Sequence, residues 1–238
     1  MSFLFHYSGS TDTLSFLHNL RLLCIHPSFI ENSTEAVSVT SLQEESPKLA
    51  SIVQIISSIL STTTELILVI SSYTQILDFF GKICESMNWG YFRLDGSTDV
   101  SKRQSMVNSF NSHLLKNRLF LLSAKAGGVG LNITGASRII MIEPAWNPAI
   151  DSQSIARAWR FGQTQTVVVY RFFISGSLEE VILQRQLVKK DISDITVDHT
   201  QIKEGTLSRE ELKELFTLKK VSRIMDRMRN RVIVLRLI

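Results

Sequence analysis

Leu66-Ile-Leu-Val-Ile70 is an unbroken apolar run without any polar residue in alternation, and its reading decides the fold. A strand with one wet face alternates apolar and polar residues. A short, largely β-branched run with no alternation belongs to a strand covered on both faces. Leu119-Phe-Leu-Leu122 repeats the pattern, and further strands are expected at Tyr91–Leu94, Arg138–Ile142 and Val167–Phe172. The segments between them carry apolar residues at helical spacing. Ser46-Pro47, a capping residue followed by proline in the first helical position, opens a helix whose Leu49, Ile52, Val53, Ile56 and Leu60 share a face. Further helices are expected over Gln75–Met87, about Ser101–Phe110, about Pro148–Trp159, and from Ser177 to about Lys190, the last opened by a Ser177/Glu180 capping box.

Short buried strands alternating with amphipathic helices predict an α/β domain of RecA-like type, a parallel sheet with helices on both faces. Working outward, residues 1–45 are rich in Ser, Thr and Asn around one apolar helical patch (Leu14, Leu17, Leu20, Leu23). They read as an entry helix and linker. The lobe itself is placed at 46–192. A C-terminal extension with a basic tail occupies 193–238, with a Ser208/Glu211 capping box opening a helix to Leu218. Both extensions are expected to be helical.

Composition narrows the function classes. The 238 residues are 44% hydrophobic, enough for a sizeable core, and no apolar run approaches the ~18 residues a membrane-spanning helix requires. Cys24 and Cys84 each sit in an apolar helical pattern and read as buried, reduced thiols of a cytosolic or nuclear protein. No Cys/His cluster has zinc spacing. The net charge of +4 is unevenly spread. From Thr217 onward seven Lys and Arg face Asp226 alone, which leaves 19 basic and 21 acidic residues, or −2, before it. The basic tail is therefore expected to give sequence-indifferent, salt-sensitive DNA affinity, whereas a DNA contact in the lobe must come from local residues.

Four stretches hold chemistry-bearing residues. Ser123-Ala-Lys-Ala-Gly-Gly-Val-Gly-Leu-Asn132 follows a strand directly, and its glycines let backbone approach an anion closely; a ligand-free strand-to-helix turn is the alternative. Its spacing matches neither the dinucleotide fingerprint nor the Gly-x-x-x-x-Gly-Lys-Ser/Thr phosphate loop, which disfavours a dinucleotide-dependent oxidoreductase. Gln153-Ser-Ile-Ala-Arg-Ala-Trp-Arg160-Phe-Gly-Gln163 sets Arg157 and Arg160 three apart, expected on one helical face, where an anion such as a triphosphate fits between two guanidinium forks. A solvated helix face is the alternative. Asp95-Gly-Ser-Thr98 is a turn at a strand end with hydroxyls suited to phosphate. In Pro144-Ala-Trp-Asn-Pro148, Asn147 and Pro148 read as a helix start, leaving Trp146 as packing or as a base- or sugar-facing group.

In order and spacing, these stretches together with Leu66-Ile-Leu-Val-Ile-Ser71 resemble the second lobe of the Swi/Snf family of superfamily-two helicase-like ATPases, over roughly residues 14–190. Tyr73-Thr-Gln-Ile-Leu-Asp78, Ile182-Leu-Gln-Arg-Gln186 with Lys189-Lys190, and Leu212-Lys-Glu-Leu-Phe-Thr-Leu218 look like the homologous-recombination repair branch, which works with the strand-exchange recombinase. The resemblance implies that Arg157 and Arg160 reach the γ-phosphate of ATP held mainly by a first lobe. It places Gly130, Asn132 and Gln153 beside the nucleotide. Gly96, Ser97, Ser123 and Lys125 would touch the DNA backbone, with Trp146 near the strand. Magnesium would be held mainly by the first lobe. Three positions depart from the family pattern: Ser72 replaces Asn or Gln, Ala145 replaces an acidic residue, and Ile25 interrupts the Cys-Asn-His-Pro run.

The resemblance makes the chain part of a nuclear, ATP-dependent double-stranded-DNA translocase acting in recombination repair or chromatin remodelling. The alternative is a non-catalytic DNA- or protein-binding module. The first lobe's lysine loop and acidic magnesium motif do not occur in these 238 residues, so the chain alone is expected not to hydrolyse ATP.

Overall fold

A computed structural model of the protein describes residues 10–31, 42–112, 117–126, 130–195 and 230–237. The first elements are α1 (Ser10–Leu23), α2 (Ser28–Glu31), α3 (Leu42–Glu45) and α4 (Pro47–Thr62). Then come β1 (Leu66–Ser71), α5 (Thr74–Ser86), β2 (Gly90–Leu94), α6 (Val100–Asn111), β3 (Asn117–Ser123) and β4 (Ala136–Met141). The last are α7 (Pro148–Ile155), β5 (Val167–Ile174), α8 (Leu178–Ile195) and β6 (Asn230–Leu237).

The opening run behaves as expected. All six residues of β1 are buried, and β1 lies inside a sheet of order β2-β3-β1-β4-β5-β6. Strands β1 to β5 are mutually parallel. Because side chains alternate across a strand, β1 feeds two cores at once. Ile67 and Val69 join Leu119, Leu121, Ile140 and the apolar faces of α4 and α5. Leu66, Leu68 and Ile70 join Phe120, Leu122, Met141 and the α6 residues Val107 and Phe110 on the other face.

The helix starts form for the reasons the sequence gives. The Ser46 side chain accepts the Leu49 amide and Asn147 accepts that of Ala149; Asp99, which the sequence reading does not single out, caps α6 by accepting the Ser101 amide. At α8 the Ser177 hydroxyl accepts the Glu179 amide, while Glu180 reaches back to the Gly176 amide.

Three expectations change. Helix α7 ends at Ile155, not near Trp159, so Arg157 and Arg160 stand in the turns that follow it and not on one helical face. The C-terminal extension is not wholly helical. Asn230–Leu237 pairs antiparallel with the whole of β5, from Ile174↔Asn230 to Val167↔Leu237. Val232-Ile-Val-Leu235 is a β-forming run inside the basic tail, and it satisfies an edge of β5 that would otherwise present unpaired amides. Helix α8 also runs on to Ile195, past the end expected at about Lys190. The Ser208/Glu211 box and the helix to Leu218 lie outside the described residues.

Helix α1 joins the lobe through its core, with Leu22, and Ile25 just after the helix, in the cluster of β1 and Leu17 against Leu178 and Ile182 of α8. Beneath it a buried ion pair links α4 to α8: Lys48 Nζ lies 2.6 Å from Glu179 Oε1, the two side chains 1% and 0% exposed.

Candidate functional site

The candidate residues fall into two groups at opposite ends of β4. The first lies at its amino end, where the segment after α7 is stitched to the loop leading into β4. The Ile133 amide donates to the Arg157 carbonyl at 2.8 Å, and Arg160 Nη1 donates to Asn132 Oδ1 at 2.8 Å. Gln163 Nε2 lies 2.9 Å from the Thr134 and Ala136 carbonyls and 3.2 Å from that of Ala158. Asn111 at the end of α6 completes the arrangement, donating to the Asn132 carbonyl and accepting the Gly135 amide. The segment of Arg157 and Arg160 is thus tied to the loop of Asn132 by one backbone and several side-chain hydrogen bonds.

The two arginines differ. Arg160 is exposed, whereas Arg157 is partly buried, and its buried Nε has no hydrogen-bond partner among the described residues. Burial pushes the Arg157 guanidinium below its ordinary value, and it stays cationic. Gly130, at φ +20°, is exposed two residues before Asn132, and an added Cβ would meet nothing within 4 Å. Gln153 is exposed on α7 four residues before Arg157. No cluster of three or more His, Cys, Asp or Glu suited to a metal occurs among the described residues.

The second group lies along the carboxyl edge of the sheet, where ligands of open α/β sheets bind. After β2, Asp95 Oδ1 accepts both the amide and the hydroxyl of Ser97, and the Asp95 amide donates to Thr98 Oγ1. Burial pushes the Asp95 carboxyl up, but the Ser97 donors and the Arg93 guanidinium outweigh it and hold it below its ordinary value. Arg103 bridges this turn to the glycine-rich loop, donating to the carbonyls of Thr98 and Ala126. Gly96 is exposed, its φ is not positive, and a Cβ there would meet nothing within 4 Å. Among the described residues, neither backbone conformation nor packing requires glycine at 96.

After β3, Lys125 is exposed, but Ser123 is buried at 3% exposure. Ser123, expected to touch the DNA backbone, is the last residue of β3, in register with Ser71, and its side chain is covered. Trp146, after β4, is 38% exposed. Glu143, just before it, is buried and accepts the Ser72 amide at 2.5 Å and the Ser71 hydroxyl. Burial raises its carboxyl to about 7, against the opposing Ser72 and Ser71 donors and the fields of Arg21 and Lys48. The six residues of β4, roughly 20 Å of strand, separate the two groups.

Gln163 lies in a motif stretch that gives it no role of its own, and Asn111 and Asp151 lie outside the sequence motifs that carry candidate residues. Asp151 is buried, pairs with Arg171 and accepts the Ala145 amide. A polar residue at a buried helix position was its only signal.

Residues 47–162 match the model of the helicase conserved C-terminal domain. The chain is 40% identical over 240 residues to the DNA repair and recombination protein RAD54-like of Danio rerio, covering 93% of this chain and 32% of that protein. The Homo sapiens RAD54-like protein is 39% identical over 90% of this chain and 31% of its own length. RAD54B of Gallus gallus is 45% identical over 76% of the chain and 20% of its length. The chain thus spans about a third or less of the curated relatives it matches. A crystal structure of the C-terminal part of the Fun30 ATPase domain aligns with a TM-score of 0.56 and 29% identity, covering 73% of this chain and 55% of that one.

Proposed function

From the premise that this chain carries a helicase conserved C-terminal domain and belongs with the RAD54-like Swi/Snf ATPases, we propose that it is the second ATPase lobe of an ATP-dependent double-stranded-DNA translocase. Its role is in homologous-recombination repair or chromatin remodelling, and hence in the nucleus. The observation that carries the reading is the junction of Asn132, Arg157 and Arg160, in which a half-buried guanidinium keeps an unused donor beside an exposed second one.

In this reading a first lobe holds ATP and most of the Mg2+ coordination, and Arg157 and Arg160 close the cleft from this side. Bound ATP supplies the phosphoryl group; the arginines stabilise the charge that grows on its γ-phosphate oxygens. Gly130, Asn132 and Gln153 line the same cleft, with Asn132 setting the direction of Arg160. The carboxyl edge takes the duplex. The Ser97 and Gly96 turn, Lys125 and Trp146 grip phosphates and sugar without reading bases, and the Ser123 carbonyl holds the Ala126 amide of the loop that carries Lys125. That mode of contact suits an enzyme that moves along DNA. The strand-exchange recombinase is a further partner in this reading.

The test joins this chain to a RAD54-like first lobe and compares Arg160→Ala, Arg160→Lys and Arg157→Ala. Arg160→Ala is expected to lower DNA-stimulated turnover by ~10³-fold or more while nucleotide affinity changes little. Lysine should restore little, because an ammonium lacks the planar fork. Turnover within about twofold of the parent would show that the segment is only surface.

A further inference from the structure

Trp146 sits on a loop held by three side chains, and two of them come from outside the 47–162 helicase match. Arg21 of α1 donates from Nη2 to the Pro144 carbonyl at 2.7 Å. Gln186 of α8 donates from Nε2 to the Ala145 carbonyl at 2.5 Å and to Asp151 Oδ2 at 2.9 Å, and accepts from Arg171. Asp151 of α7 takes the Ala145 amide. The Arg21 guanidinium also lies 5.9 Å from the Trp146 ring centroid and 5.2 Å from that of Tyr73. Arg21 and Gln186 are 6% and 4% exposed, so their contacts are made out of water, where they hold geometry most firmly.

Packing alone does not call for this arrangement. Helices α1 and α8 already meet through Leu17, Leu178 and Ile182, with Leu20 against them. Long polar side chains aimed at the two carbonyls just before Trp146 add nothing to that apolar contact. They do fix the one aromatic residue that the carboxyl edge of β4 presents.

We infer that Arg21 and Gln186 are positioning residues that hold Trp146 in place for contact with the duplex, coupling both flanking helices to the DNA-facing loop. The inference rests on the reading of the carboxyl edge as the DNA surface.

The 238-residue chain has three tryptophans, so Trp89→Phe with Trp159→Phe leaves Trp146 as sole emitter. In that background Arg21→Gln and Gln186→Leu are each expected to raise acrylamide quenching of Trp146 about twofold. Each should weaken binding of a labelled duplex about fivefold. On top of Trp146→Ala neither should weaken binding further, because the loss passes through Trp146. Arg21→Lys, which keeps the cation but not the plane, should restore part of both readouts. Should Arg21→Gln not fold, Arg21→Lys and Gln186→Met carry the same measurements. Quenching unchanged in the Arg21 and Gln186 variants, or affinity losses that add to that of Trp146→Ala, would overturn the inference. Unchanged affinity in Trp146→Ala would instead overturn the DNA reading, and quenching would still decide whether the two residues hold the ring.

Discussion

Glu143→Gln tests the buried carboxylate at the end of β4. In the folded chain its carboxyl titrates at about 7, raised by burial from the ordinary 4.5. Between those two values the folded state keeps a proton that the unfolded chain has released. The stabilisation from this group is therefore full below pH 4.5 and is lost as pH rises to and through 7. An interval of roughly 2.5 pH units at about 1.4 kcal/mol each makes the loss about 3 kcal/mol. Glutamine keeps the shape and can still accept the Ser72 amide and donate to the Ser71 hydroxyl, but it carries no charge at any pH. Denaturant unfolding of parent and variant at pH 4.5 and pH 8 isolates the group, because other titrations are common to both proteins. Relative to the parent, the variant should gain about 3 kcal/mol between the two pH values. A relative change below about 0.5 kcal/mol would refute the reasoning, since the carboxylate would then be solvated or fully compensated.

Two other expectations rest on separate contacts. Lys48→Met leaves Glu179 fully buried with the Ile174 amide as its remaining donor among the described residues, and should cost about 3–5 kcal/mol; adding Glu179→Gln should recover much of it. A cost under about 1 kcal/mol in denaturant unfolding would mean that water reaches the pair. Gly96→Ala should leave the unfolding midpoint unchanged, because its Cβ meets nothing within 4 Å among the described residues, yet weaken duplex binding several-fold by blocking close approach of a phosphate. Unaltered duplex affinity would remove Gly96 from the contact surface.

What the sequence determined was local. The unbroken run at Leu66–Ile70, the repeated apolar strands, and the caps at Ser46 and Asn147 specify a doubly covered parallel sheet, because each depends on neighbours within a turn or a pleat. The order of the motif stretches was enough to identify the family. The tertiary structure decided the rest. Arg157 and Arg160 were expected on one helical face, yet the helix stops at Ile155 and contacts to residues 132–136 set their directions. Ser123 looked like a ligand and is covered, whereas Gln163 looked incidental and fastens the junction. Val232–Leu235 was counted with a basic tail and lies in the sheet. Arg21 meets Pro144 across 123 positions of chain, and Lys48 meets Glu179 across 131. Periodicity reports which face of an element is apolar, but not which distant carbonyl or carboxylate that face will meet. That pairing is set only when the strands take their order in the sheet and bring remote segments within hydrogen-bonding reach.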